Sequence, residues 1–168
     1  QKMRRSEKVI RSILSGELEP VTSRKGTEEL ESLFGDKIFS FPKPLGLLKK
    51  LFLASTTEGD IICDFFAGSA STAAAVLQIN AMEGEGARRY ILVQLPEDLK
   101  ARQGKVGKHE EVQLQKTIDF LESLHRPATL EQIGIERILR SSKQVQATTR
   151  KGLDFGFLLY TLEKTPKL

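Results

Sequence analysis

The sequence has a single cysteine, no tryptophan, two histidines and no two adjacent prolines. One cysteine excludes an intrachain disulfide and a zinc site built on thiolates. Cys63 follows Ile61 and Ile62 in an apolar run and reads as a small buried hydrophobe rather than a nucleophile. His109 and His125 stand alone in the sequence, so both read as surface or core residues and no metal site is expected. No apolar run approaches the ~20 residues that span a bilayer, so no membrane partner is expected. The charged start, Gln1-Lys2-Met3-Arg4-Arg5, has no leader character. Opening on Gln1 rather than Met, it points to a piece of a longer chain. A reducing cytoplasm suits the lone thiol.

What is present suffices for one domain with a real core. Of 168 residues, 39% are hydrophobic and 29% are charged, which describes a water-facing globular surface around an apolar interior. The net charge of +4 suits a nucleic-acid partner without demanding one. From Arg137 to Lys151 there are basic residues (Arg137, Arg140, Lys143, Arg150, Lys151) and no acid. That run is either a solvated helix end or a phosphate-contacting patch.

Periodicity predicts a helix over 1–18, with Val9, Ile10, Ile13 and Leu14 on one face. Thr22 to Gly26 reads as a polar connection, Glu28 to Phe34 as a short helix closed by Gly35, and Ile38 to Phe41 as a short strand or extended segment. Pro44 suits the first turn of a helix over Leu45–Thr57. Asp60 to Phe65 reads as a buried strand, Ser71 to Asn80 as a helix, and Tyr90 to Leu95 as a second strand stopped by Pro96. Strand, helix and strand in that order predict a βαβ unit with parallel strands. Further on, Gln113–Leu124 has an amphipathic pattern. Thr129-Leu130-Glu131-Gln132 has the form of a capping box opening a helix to about Ser141. Phe155–Leu162 reads as a last strand.

The junction between the first strand and its helix, Asp64 to Thr72, is the stretch that looks built around a small molecule. A tight turn there would bring backbone N–H groups and a helix N-terminus up to a ligand. A triphosphate P-loop needs a lysine that is missing here. A dinucleotide loop needs three glycines, of which only Gly68 is present. A third form, Asp-x-Phe-x-Gly-Ser-Gly-Thr-Thr after a strand, binds S-adenosylmethionine (SAM), and Asp64, Phe66, Gly68, Ser69 and Thr72 match it. The alternative is a packing turn of small residues.

Two flanking blocks accompany this loop. One is Lys37-Ile38-Phe39-Ser40-Phe41-Pro42-Lys43-Pro44. The other is Arg88-Arg89-Tyr90-Ile91-Leu92-Val93-Gln94-Leu95-Pro96-Glu97. With Asp60–Ser69 between them, the chain resembles the β-type DNA amino-methyltransferases, and most of all the modification (Mod) subunits of type III restriction–modification systems. The likeness covers roughly 22–162. Gly134-Ile135-Glu136-Arg137-Ile138 and Leu153-Asp154-Phe155-Gly156-Phe157 agree with it.

The resemblance implies an α/β fold, a partial Rossmann-like SAM-dependent methyltransferase sheet with flanking helices. Residues 1–21 would be an N-terminal helix and linker, 22–162 the C-terminal part of the domain, and 163–168 a tail. It implies adenine-specific DNA methylation at the exocyclic amine, with SAM as donor. Gly68, Ser69 and Ala70 would offer backbone to the methionine end. Asp64 would bond the ammonium, directly or through water. Phe66 would line the ligand cavity or only pack in the core. Pro42, Lys43 and Pro44 would close over the methionine end, with Lys43 either on the carboxylate or solvated. Thr72 belongs to the same loop motif. Gln94 stands where the family usually places a ribose-binding acid, with Glu97 in reserve. Ala70 replaces the family's second glycine; its methyl group is either harmless or crowds the ligand, and the expectation is that Ala70→Gly tightens binding.

The family's catalytic turn, Asp-Pro-Pro-Tyr, is absent: the six prolines are Pro20, Pro42, Pro44, Pro96, Pro127 and Pro166. In the β-type order that turn and the target-recognition region precede the SAM loop. The chain is therefore expected to need an N-terminal catalytic half, with DNA, a second copy and a helicase–endonuclease (Res) subunit as the further partners. The competing expectation is an inactive remnant that serves as a SAM-binding or subunit-docking module. An RNA or small-molecule methyltransferase half is a third.

Overall fold

A computed structural model describes residues 22–84, 88–149 and 153–162. The helix expected over 1–18, the residues Arg150 and Lys151, and the tail lie outside them. The described residues form an α/β fold of five α-helices and a two-stranded parallel sheet.

Helix α1 (Ser23–Phe34) places Gly26, Leu30 and Phe34 on one buried face, as i, i+4 spacing requires. It begins inside the stretch read above as a connection. Thr22 is its N-cap, its hydroxyl oxygen accepting from the Lys25 N–H, and left-handed Gly35 closes it. Gly26 looked like a turn residue, but packing is its reason: a Cβ there would overlap the Pro42 carbonyl oxygen. The following segment turns rather than extends. Residues 38–41 form no strand, and Phe41 has φ of 57°. Ile38 is held instead by the Thr117 hydroxyl, which donates to its carbonyl at 2.7 Å.

Helix α2 (Leu45–Ser55) starts after Pro44, which occupies the N-cap rather than the first turn. The Glu29 carboxylate accepts from the Leu45 N–H at 2.8 Å and supplies negative charge at that helix start. Strand β1 (Ile61–Asp64) pairs in parallel with β2 (Arg89–Leu92), with Cys63 opposite Ile91. β1 is not the buried strand the apolar run predicts. Only Ile62 is buried, while Ile61, Cys63 and Ile91 are exposed. Among the described residues, helices cover just one face of this sheet, and Cys63 lies on the other. β2 also stops before Val93, where the chain departs toward the loop.

Helix α3 (Ser71–Glu83) joins the strands. It is buried all round because α2, α5 and β2 pack against it, and Ala73, Ala74 and Ala75 let those neighbours approach closely. Asn80 fixes its far end to β2: its amide donates to the Arg88 carbonyl at 2.8 Å and accepts from the Arg88 N–H at 3.2 Å. The buried Arg88 side chain pairs with Glu83 and donates to the Thr56 hydroxyl and carbonyl, tying the end of α2 to the same corner.

Helix α4 (Lys108–Ser123) begins five residues before the expected start and buries Leu114, Ile118 and Leu121 against Leu30, Phe34, Ile38 and Ile133. Each fully buried leucine of this cluster contributes about 1.5–3 kcal/mol. Helix α5 (Leu130–Thr148) runs past Ser141. Its capping box does not close: Thr129 is the N-cap, but its hydroxyl donates to Glu131 instead of accepting from the backbone. The final segment, 155–162, forms no strand. Phe155 is buried against α3 and α5, and its carbonyl accepts from the Ser142 hydroxyl at 2.8 Å.

Candidate functional site

The loop after β1 is held at every step. The Asp64 carboxylate accepts from the Phe66 N–H at 3.0 Å with one oxygen and from the Thr72 hydroxyl at 2.6 Å with the other. Across the sheet, the Ala67 N–H donates to the Val93 carbonyl and the Val93 N–H to the Asp64 carbonyl. The Gln94 side-chain oxygen accepts from the Gly68 N–H at 2.7 Å. Gly68 and Ala70 both adopt left-handed backbone, with φ of 52° and 56°, on either side of Ser69. The Gly68 and Ala70 N–H groups are spent inside the turn, on the Gln94 side chain and on the Ala67 carbonyl, each at 2.7 Å, which leaves the first N–H groups of α3 to face a ligand. The turn opens at the carboxyl ends of parallel strands, where ligands of open α/β sheets bind.

The three sequence blocks meet at this loop. A Cβ on Gly68 would lie 3.5 Å from the Phe39 ring, so the first block packs directly on the turn. The third block reaches it through Val93 and Gln94. Pro42 and Pro44 are buried and back onto Gly26, while Lys43 is exposed. Phe66 is 92% exposed beside the loop, so it is not a core residue. Ser69 and Thr72 are buried within the turn. Asp64 and Gln94 spend their oxygen acceptors on the loop itself, a positioning role that the sequence did not indicate. Ala70 is 1% exposed and its methyl group faces Gly134 on α5, so it does not crowd the open side of the loop.

Two residues of α5 complete the site, and the sequence did not single them out for it. A Cβ at Gly134 would lie 3.1 Å from the Gly68 carbonyl oxygen, so its absence lets α5 rest on the turn. One turn on, Arg137 Nη1 donates to the Ser71 hydroxyl at 2.7 Å, the Ser69 hydroxyl at 3.0 Å and the Ser69 carbonyl at 3.4 Å. Burial draws the Arg137 guanidinium down to about 10, with Glu29 opposing. The signal available was a glycine inside a helix, unfavourable by about 1 kcal/mol unless packing requires it, three residues before an arginine on the same face.

The basic run that includes Arg137 is therefore not a phosphate patch at its start. Arg137 is enclosed. Arg140 pairs with Glu136 and lies over the Phe34 and Phe120 rings. Among the described residues, no three His, Cys, Asp or Glu side chains come together to hold a metal. No helix among them is long and apolar enough to cross a membrane.

The chain is similar to known proteins. The Mod subunit of the type III restriction–modification enzyme StyLTI, from Salmonella typhimurium strain LT2, is 31% identical over 140 residues. That match covers 83% of this chain and 19% of the relative. The EcoPI Mod subunit of Escherichia phage P1 is 41% identical over 71 residues, 42% of this chain and 11% of its own. The type II methyltransferase M.KpnI of Klebsiella pneumoniae is 35% identical over 72 residues, 43% of this chain and 17% of its own. The chain thus spans less than a fifth of the length of these curated relatives. The profile of the DNA methylase family matches residues 2–137, most of the sequence. The chain belongs to the DNA methylase family.

Proposed function

We propose that this chain is the SAM-binding portion of a site-specific, adenine-directed DNA methyltransferase of a type III restriction–modification system. The observation that carries the reading is the convergence of three separate sequence blocks on one turn, Asp64–Thr72, at the carboxyl end of a parallel strand pair.

The donor set fits the ligand. When bound, SAM supplies a sulfonium methyl group that an adenine amine can take up. Gly68 and Ala70 shape the turn with their N–H groups held inside it, while Ser69 and the first N–H groups of α3, which have no helical acceptors, would offer donors to the ligand. Phe66 offers an exposed ring for an apolar part of the ligand. Lys43, exposed between the buried Pro42 and Pro44, would meet the carboxylate. Gln94 holds Gly68 with its oxygen, while its nitrogen, donating to the Leu95 carbonyl at 3.1 Å, stands at the strand end suited to a ribose. Asp64 and Thr72 fix the turn and give it an acid that attracts the ligand's ammonium.

The remaining strands of a Rossmann-like sheet, the acidic turn that accepts from the adenine amine and the target-recognition region would come from an N-terminal half. The assembled enzyme would act in the cytoplasm on DNA as a dimer with a Res subunit. The test is transfer of labelled methyl from SAM to duplex DNA. This chain alone should give none, and addition of the N-terminal half of a Mod relative should restore transfer to adenine. Persistent inactivity in a well-folded mixture would favour a non-catalytic docking module.

A further inference from the structure

Arg137 is 1% exposed, yet no carboxylate among the described residues lies within ion-pair distance of it. Among the same residues its Nε has no partner. A buried cation left without a counter-ion is costly. Its position makes matters worse, because Ser69 and Ser71 stand at the N-terminus of α3, the positive end of that helix. Both serine hydroxyls accept from Nη1, so their own hydrogens must turn elsewhere. Those two O–H donors join the free first-turn N–H groups of α3. Positive charge and donors therefore gather on the α5 side of the loop, while the acid of the loop, Asp64, lies on the strand side and is bound to the Phe66 N–H and the Thr72 hydroxyl. Glu29 is the acid nearest in effect, and its carboxylate is committed to the Leu45 N–H.

We propose that Arg137 is the positioning residue that makes this loop selective for a carboxylate-bearing methyl donor. The donor's α-carboxylate is the counter-ion that the described residues lack. Arg137 acts through Ser69 and Ser71, fixing the turn and raising the positive potential there. Gly134 brings α5 close enough for it to do so. This rests on the reading of the loop as a SAM site.

The experiment compares two ligands by calorimetry on the full chain: SAM, and decarboxylated SAM, which keeps the adenosine and the sulfonium but lacks the carboxylate. Wild type should prefer SAM. Arg137→Met should weaken SAM by about thirtyfold or more and leave decarboxylated SAM nearly unchanged, and Arg137→Lys should recover part of the preference. Equal weakening of both ligands, or no change in either, overturns the proposal and leaves Arg137 a packing clamp. Should Arg137→Met fail to fold, Glu29→Gln decides the matter. It keeps an acceptor for the Leu45 N–H and removes the opposing charge, so it should tighten SAM alone by about two- to fivefold. An unchanged ratio of the two affinities overturns the proposal. A folded wild-type chain that binds neither ligand overturns the SAM reading as well; one that binds both equally overturns only the role of Arg137.

Discussion

The Thr72 hydroxyl donates to the Asp64 carboxylate at 2.6 Å, bridging the last residue of β1 and the first turn of α3. The other carboxylate oxygen holds the Phe66 N–H. One side chain thus sets both limbs of the turn. Asp64→Ala should remove two charge-assisted hydrogen bonds and cost about 2–4 kcal/mol. Asp64→Asn retains one acceptor and should cost about half as much. Urea unfolding of the three proteins checks the order. Equal stability of Asp64→Ala and wild type contradicts it.

Gly134 and Gly68 are a second coupled pair. Gly134→Ala gains about 1 kcal/mol of helix propensity. It also drives a methyl group toward the Gly68 carbonyl and the Ala70 methyl, where overpacking costs about 1–3 kcal/mol. The net effect should be a modest loss of stability, together with a larger loss of donor affinity because the loop is displaced. Thermal melts and SAM titration separate the two. A variant that is more stable and binds equally well would show that α5 does not constrain the turn.

Left-handed backbone on both sides of Ser69 gives opposite expectations for its neighbours. Gly68→Ala places a Cβ at φ of 52° and against Phe39, and should destabilise by about 1–2 kcal/mol. Ala70→Gly relieves the same strain at φ of 56°, partly offset by greater freedom in the unfolded chain. It should leave stability within about 1 kcal/mol of wild type and SAM affinity unchanged, since the Ala70 methyl group faces α5. A marked gain in affinity would restore the crowding expected from sequence.

Tyr90 supplies a pH test. Burial, with a contribution from Asp154, pushes its hydroxyl up to about 12, and that hydroxyl has no partner among the described residues. As pH rises through about 10 the unfolded chain loses this proton first. Its contribution is therefore intact below about pH 10 and is lost between about 10 and 12. Arg137, drawn down to about 10, acts in the opposite sense at high pH, so the comparison must be between variants. Tyr90→Phe should lose less stability than wild type between about pH 9 and 11. It should match or slightly exceed wild type near neutrality. Parallel pH profiles would contradict the assignment.

Much of the site was legible because local signals carried it. An apolar run, a turn of small residues and an alanine-rich helix specify a βαβ unit wherever they occur, and the Asp64–Thr72 turn sits where that pattern places it. Burial was less legible, because it depends on which neighbours arrive. Ile61-Ile62-Cys63 reads as a core strand, yet among the described residues only one face of the two-stranded sheet is covered and Cys63 is exposed. Arg137 reads as part of a solvated basic run. A distant contact, Gly134 on Gly68, turns it inward instead. Phe155–Leu162 has the composition of a strand, but Phe155 is fastened to α5 and the segment pairs with no strand edge among the described residues. Gly26 was read as a breaker when Pro42 required it inside a helix.

On the proposed function, the Asp64–Thr72 turn holds the methyl donor. Isothermal titration of SAM into this chain and into Gly68→Val tests it most directly. The chain should bind SAM saturably, one ligand per chain. Gly68→Val, folded by circular dichroism, should lose that binding because a branched side chain cannot take this turn's left-handed backbone. A well-folded chain that shows no saturable binding, or a Gly68→Val variant that binds as well as wild type, would contradict the claim.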